Sequence, residues 1–303
     1  MSPASESHRL NLSAGLFSVT VALMLVTAKL WALYVTGSLS VAATLADSAL
    51  DLMMSLGGLA AIVYAARPAD DDHNFGHSSA EDLAALAQSA FILVSSTVIA
   101  TAAVLRLLSG DVPLPREEAK GMAVILFSIV ITAALVIWQR HVARRTGNRV
   151  VAADSLHYIG DLVPNLGALL ALWVSARWGI GQVDSLVALG AALFLVVGAF
   201  RIGKGAWDAL MDRQADPDTI AEIEAIAGAF PGVEGFHDLK TRQSGSRIFV
   251  NLHIELDGAQ TLSEAHAIGA ALRREILARI PNADVLIHKD PSGEDPHPAD
   301  PTK

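Results

Sequence analysis

Two pairs of ionisable residues lie inside apolar stretches at helical spacing. LADSALD carries Asp47 and Asp51 four residues apart, and DSLHYIGD repeats the spacing with His157 and Asp161. Residues four apart share one face of a helix, so each pair points two ligand atoms the same way. A carboxylate at the centre of a membrane helix costs about 2.5–3.5 kcal/mol and needs a compensating role. A wet position near a helix end would account for a lone membrane Asp, but two matching pairs near mid-span point to a ligand set. Three carboxylates and an imidazole make four nitrogen and oxygen ligands, the number tetrahedral zinc takes. The chain has no cysteine, which excludes thiolate sites and thiol redox chemistry and disfavours copper(I).

Two further groupings are less decided by spacing. The segment PADDDHNFGH offers Asp70, His73 and His77. It reads either as a second metal site or as a solvated acidic turn, the latter accounting well for Asp71 and Asp72. The last third holds His237, His253, His266, His288 and Asp290. His288 and Asp290 are two apart on a strand and share a face; scattered surface histidines and a metal cluster both stay open. Lys29, Gln88 and Asn165 read as snorkelling or interhelical hydrogen bonding. Asp154 reads as a first-turn acid facing water, and His8, His141 and His297 read as solvated.

The elements that must position these groups follow from composition. Of 303 residues, 52% are hydrophobic and 17% charged, against about 25% charged in soluble domains. Disorder and a disulfide-stapled scaffold are excluded. Six apolar stretches reach the roughly 20 residues a span needs: 11–36, 39–66, 81–109, 119–140, 149–176 and 183–208. In the fifth, Pro164 frees the Gly160 carbonyl and kinks the helix just past His157. Arg9, Arg67, Arg140, Arg144, Arg145, Arg149, Arg201, Lys204 and Arg213 fall on one side of six spans, and Arg106, Arg116, Lys120 and Arg177 on the other. That bias places both termini in the cytoplasm.

From Pro217 the pattern changes to a helix at 217–229, strands at 235–242 and 247–256 around the turn QSGS, a helix at 261–280 and a strand at 284–289. The expected fold is a membrane all-α six-helix domain followed by a small cytoplasmic α+β domain, αββαβ, ferredoxin-like or metallochaperone-like. The divisions are a cytoplasmic segment 1–10, a transport domain 11–208, a metal-binding domain 209–290 and a disordered tail 291–303. Residues 1–208 hold 15 acidic and 13 basic side chains, and residues 209–303 hold 16 and 9. The net charge of −9 argues against a nucleic-acid partner.

The stretches DSALDLMMSLGG, PADDDHNFGH with AEDLAALAQS, HYIGD, PGVEGFHDLKTRQSG and IHKDP together resemble the cation diffusion facilitators, most closely the bacterial zinc and ferrous-iron efflux pumps. The resemblance runs from about residue 10 to 291. It implies a homodimer in a bacterial-type inner membrane that exchanges cytoplasmic divalent metal for protons. It also implies a transport site of Asp47, Asp51, His157 and Asp161 and a loop site of Asp70, His73 and His77. A binuclear site of His237, His253, His266, His288 and Asp290 follows in the same way, with Asp290 as bridging carboxylate. Zinc is the first expectation for the cargo, with cadmium and ferrous iron beside it. One departure is visible: these pumps usually carry a lysine in GHGKAE that pairs with an acid after the sixth helix across the dimer. Here the stretch is GHSSAE, with Ser79 at that place, while Asp212 remains. An intramembrane metalloprotease would want HExxH, which is absent, and no enzymatic activity is expected. A metal sensor that binds without transporting is the alternative, and an organic-cation exporter would hardly need the histidines of the soluble domain.

Overall fold

The computed structural model describes residues 3–36, 39–109, 119–178 and 183–293. The side chains of Pro164, Asn165, Lys120 and Arg177, the segment holding Arg116, and residues 294–303 with His297 lie outside the described residues. The chain splits into two compact units, Ser7–Trp207 and Asp208–Lys303 with Met1–Glu6.

Six long helices come first: α1 (Pro3–Thr36), α2 (Leu39–Ala65), α3 (Ser79–Ser109), α4 (Ala119–Thr146), α5 (Arg149–Trp178) and α6 (Val183–Leu210). Among the described residues, four of them are long and apolar enough to cross a membrane: α1, α2, α3 and α6. The other two carry charge where they are described, Arg140, Arg144 and Arg145 on α4 and Arg149, Asp154 and Asp161 on α5. The first helix begins well before its apolar run, at Pro3, a residue suited to the first helical position. The fourth continues past the apolar run to Thr146, until Gly147 turns the chain with φ +67° and donates its N–H to Ala143 O. Asn148 then caps α5, its Oδ1 accepting from Val151 N at 3.0 Å. This two-residue elbow packs α4 and α5 side by side.

Small residues let the remaining helices close in. A Cβ on Gly198 of α6 would stand 2.8 Å from Leu156 of α5, and one on Gly203 would stand 2.6 Å from Ser89 of α3. Apolar clusters fill the gaps: Val21, Leu25, Leu135, Tyr158 and Ile159 in one, and Ile92, Leu156, Leu195 and Ala199 in another.

The second unit contains α7 (Pro217–Gly228), β1 (Gly235–Ser244), β2 (Arg247–Leu256), α8 (Leu262–Arg279) and β3 (Ala283–Pro291). The sheet order is β1-β2-β3, with β1 and β2 antiparallel and β2 and β3 parallel. A ferredoxin-like sheet has four strands; three are present here among the described residues, and β2 meets β3 directly. Alternation along β2 puts Val250, Leu252, Ile254 and Leu256 into one core with Ile223 of α7 and Leu272 and Ile276 of α8. Asn251, His253 and Glu255 take the opposite face.

Candidate metal centres

The first centre lies where α2 meets α5. Asp51 Oδ1 is 3.0 Å from His157 Nε2, and Asp51, His157 and Asp161 each offer a ligand atom within 4.8 Å of the others. Asp51 and His157 side chains are 15% and 12% exposed, so the group is largely enclosed. The rotation of α5 that aims His157 at α2 is fixed by its neighbours. Leu156 packs against Gly198 of α6, and Tyr158 is buried among Val21, Leu25 and Leu135. Asp47, one turn earlier on α2, is exposed and lies outside this group. Lys29 of α1 donates to Ser48 of α2 at 2.6 Å, an interhelical hydrogen bond of the kind expected of it. Two carboxylates and an imidazole in one enclosed pocket bind a cation only when deprotonated, so metal and protons compete for the same atoms.

Around this pocket the bundle buries polar side chains that spacing did not single out. Glu81 and Asp82 in the first turn of α3 are 4% and 1% exposed. Asn148 donates to Glu81 at 2.8 Å, and Arg149 donates to Asp82 at 2.5 Å. Helix-end acids read as solvated by default; the signal here was the Arg149 that opens α5. The expectation for Asp154 is overturned. It is 6% exposed and accepts a 2.6 Å hydrogen bond from Gln139 of α4. A first-turn acid faces water on an isolated helix, but α4 returns through the short elbow and covers this turn of α5. Gln88 is 5% exposed, and its amide has no hydrogen-bond partner among the described residues.

The second centre is the connection between α2 and α3. Asp70 holds both histidines: Oδ1 is 3.3 Å from His73 Nδ1, and Oδ2 is 3.2 Å from His77 Nε2. The backbone N–H of His73 also donates to Asp70 Oδ1 at 2.7 Å, and that bond holds the Asp70 carboxyl below the ordinary carboxylate range. His77 is buried, its ring edge-on to Tyr64, with Nδ1 lacking a hydrogen-bond partner. Asp70, His73 and His77 form one compact group of ligand atoms, whereas Asp71 and Asp72 are exposed.

The third centre is built by strand register. His237 of β1 lies opposite His253 of β2, which lies opposite His288 of β3, giving a row of imidazoles across the sheet. Asp290 spans it. Its Oδ2 is 2.9 Å from His253 Nδ1 and 3.4 Å from His237 Nε2, and its Oδ1 is 3.1 Å from His288 Nε2. A bulge after His237 keeps that residue in the row, and Asp238 there takes φ 48°. Asp238 reaches within 4.0 Å of His253, a neighbour that histidine spacing did not reveal. Lys240 hydrogen-bonds Asp238 at 2.8 Å and holds its carboxyl below the ordinary range. His266 is exposed on α8 and does not join the His237–His253–Asp290 group.

The transmembrane domain of cation efflux proteins matches residues 15–211, and their cytoplasmic domain matches residues 215–292. The chain belongs to the cation diffusion facilitator family. The cation-efflux pump FieF of Cronobacter sakazakii is 40% identical over 283 residues, 93% of each chain. That of Escherichia fergusonii is 40% identical over 284 residues, again 93% of each chain. The metal-bound C-terminal domain of the CzcD transporter from Thermotoga maritima is 33% identical, covering 25% of this chain and 91% of its own, with a TM-score of 0.25. This cation diffusion facilitator is therefore a membrane transporter with several apolar helices and a C-terminal α+β domain. The chain's own departure at Ser79 is matched by a local partner for Asp212: Arg242 donates to it at 3.1 Å and stacks on Phe249 at 4.2 Å.

Proposed function

We propose that this cation diffusion facilitator exports divalent metal, zinc first, from the cytoplasm in exchange for protons. The observation that carries it is the convergence of Asp51, His157 and Asp161 from two helices into one enclosed nitrogen–oxygen pocket. Asp47 would complete four ligands from its place one turn along α2. Facing a near-neutral cytoplasm a cation displaces the ligands' protons and neutralises the charge of the carboxylates. Facing a more acidic exterior, protons displace it. The loop group of Asp70, His73 and His77 and the row His237, His253, His288 with Asp290 are read as further metal sites, His266 belonging to the latter set. A homodimer in an inner membrane, with both termini cytoplasmic, is the assembly this reading takes. The pumps named above, called cation-efflux pumps over nearly the whole chain, support it.

The test is zinc uptake into inverted vesicles together with the proton flux it drives. Asp51→Ala should abolish both while the protein stays folded in the membrane. Undiminished zinc-driven proton movement in that variant would remove the assignment.

A further inference from the structure

Beside the metal pocket two groups of hydrogen-bonded side chains lie in the dry interior of the bundle. The Tyr158 hydroxyl lies 2.9 Å from Ser55 Oγ, and Ser18 Oγ donates to Ser55 Oγ at 2.8 Å. Asp154 Oδ2 accepts from Gln139 Nε2 at 2.6 Å. The five side chains come from α1, α2, α4 and α5, and none is more than 6% exposed. Asp154 Oδ1 and Gln139 Oε1 have no partner among the described residues. Both residues, with Ser55 and Gly58, line a cavity with room for about one water. Two orphaned acceptors call for an occupant that donates twice, as a water does.

Asp154 thus has one oxygen held by Gln139 and the other facing the cavity, where a carboxylic acid O–H can donate to the water and an ionised carboxylate can accept from it. The ionisable groups that act on it are His157, one turn on along its own helix, and Asp51 of α2. Gln139 of α4 faces it directly, and α3 meets α5 at Asn148 and Arg149 through Glu81 and Asp82 and at His157 through Phe91.

We propose that Asp154 carries a proton of the exchange, released through the cavity water when metal occupies the site one turn along α5 and regained when the metal leaves. This rests on the proton exchange proposed above. Three residues of helix separate Asp154 from His157, about 4.5 Å of rise, and at that range in a low dielectric a divalent cation favours the ionised carboxylate. The proton passes from the Asp154 carboxyl to the water as hydronium and on to bulk, and no other bond changes.

The experiment is infrared difference spectroscopy of the full-length protein on zinc addition, paired with protons released per zinc bound. In the wild type, zinc should remove a buried carboxylic-acid carbonyl band. Asp154→Asn should lack that band, keep its zinc stoichiometry and release about one proton fewer per zinc. Gln139→Ala, which removes the donor to Asp154 Oδ2, should retain the band at a shifted frequency. A band and proton count unchanged in Asp154→Asn would overturn the proposal. Should that variant fail to fold, an unshifted band in Gln139→Ala would overturn it equally. Zinc uptake without proton movement in wild-type vesicles would instead remove the exchange reading, and the infrared band would still judge Asp154.

Discussion

Asp290 differs from the other residues of the C-terminal row because it meets its neighbours with both oxygens, His237 and His253 through one and His288 through the other. A carboxylate so placed has an oxygen for each of two ions, whereas an imidazole facing one ion serves that one only. Asp290→Ala should therefore lower the zinc bound per chain by more than His288→Ala, which leaves His237, His253 and Asp290 together. Elemental analysis of the dialysed full-length variants gives the comparison, and equal losses would remove the bridging role. Binding here needs neutral imidazoles, so protons compete with zinc for the row and acidification should release it. The spacing of Asp47, Asp51, His157 and Asp161 was legible because helical periodicity is local and regular. The row of histidines was not, because it depends on how β1, β2 and β3 slide past one another and on a bulge after His237. Asp238 became visible through the same bulge.

At the scale of elements, the ends of helices carry much of the specification. Thr261 and Glu264 form a reciprocal cap on α8: Thr261 Oγ1 accepts from Glu264 N, and Glu264 accepts from the Thr261 backbone N–H. Thr261→Ala should destabilise the C-terminal domain by about 1 kcal/mol, read as a lowered denaturant midpoint with unchanged slope. The bond from Thr261 holds the Glu264 carboxyl below its ordinary value. Its contribution is thus present above the ordinary glutamate value and lost as pH falls through the lowered one. The midpoint gap between wild type and variant should narrow on acidification. The apolar runs placed most helix ends to within a few residues, the start of α1 and the end of α4 running beyond theirs. The elbow at Gly147 and Asn148 could not be read from hydropathy. That elbow is why Asp154 is buried: it brings α4 back over the first turns of α5, where sequence alone expects water.

At the scale of the molecule, two of the ligand groupings differ in how far they are enclosed. The pocket of α2 and α5 is enclosed within the bundle, whereas the row on the sheet is partly open, with His237, His253 and Asp290 each 26–29% exposed. An enclosed pocket suits a cargo that must be passed on; an open row suits reversible sensing of the metal in solution. If the row acts as a clamp whose occupancy favours one arrangement of the dimer, it shifts a population and leaves the transport chemistry alone. The size of the shift is set by how differently the two arrangements bind metal, since equal affinity shifts nothing. His253→Ala combined with Asp290→Ala should then raise the zinc concentration needed for half-maximal flux. The pH dependence of that flux should stay as in the wild type, because it belongs to Asp51, His157 and Asp161. Vesicle flux across a zinc series at two pH gradients separates the effects. An unaltered zinc dependence would remove the clamp, while an altered pH dependence at saturating zinc would mean that the row takes part in the exchange itself.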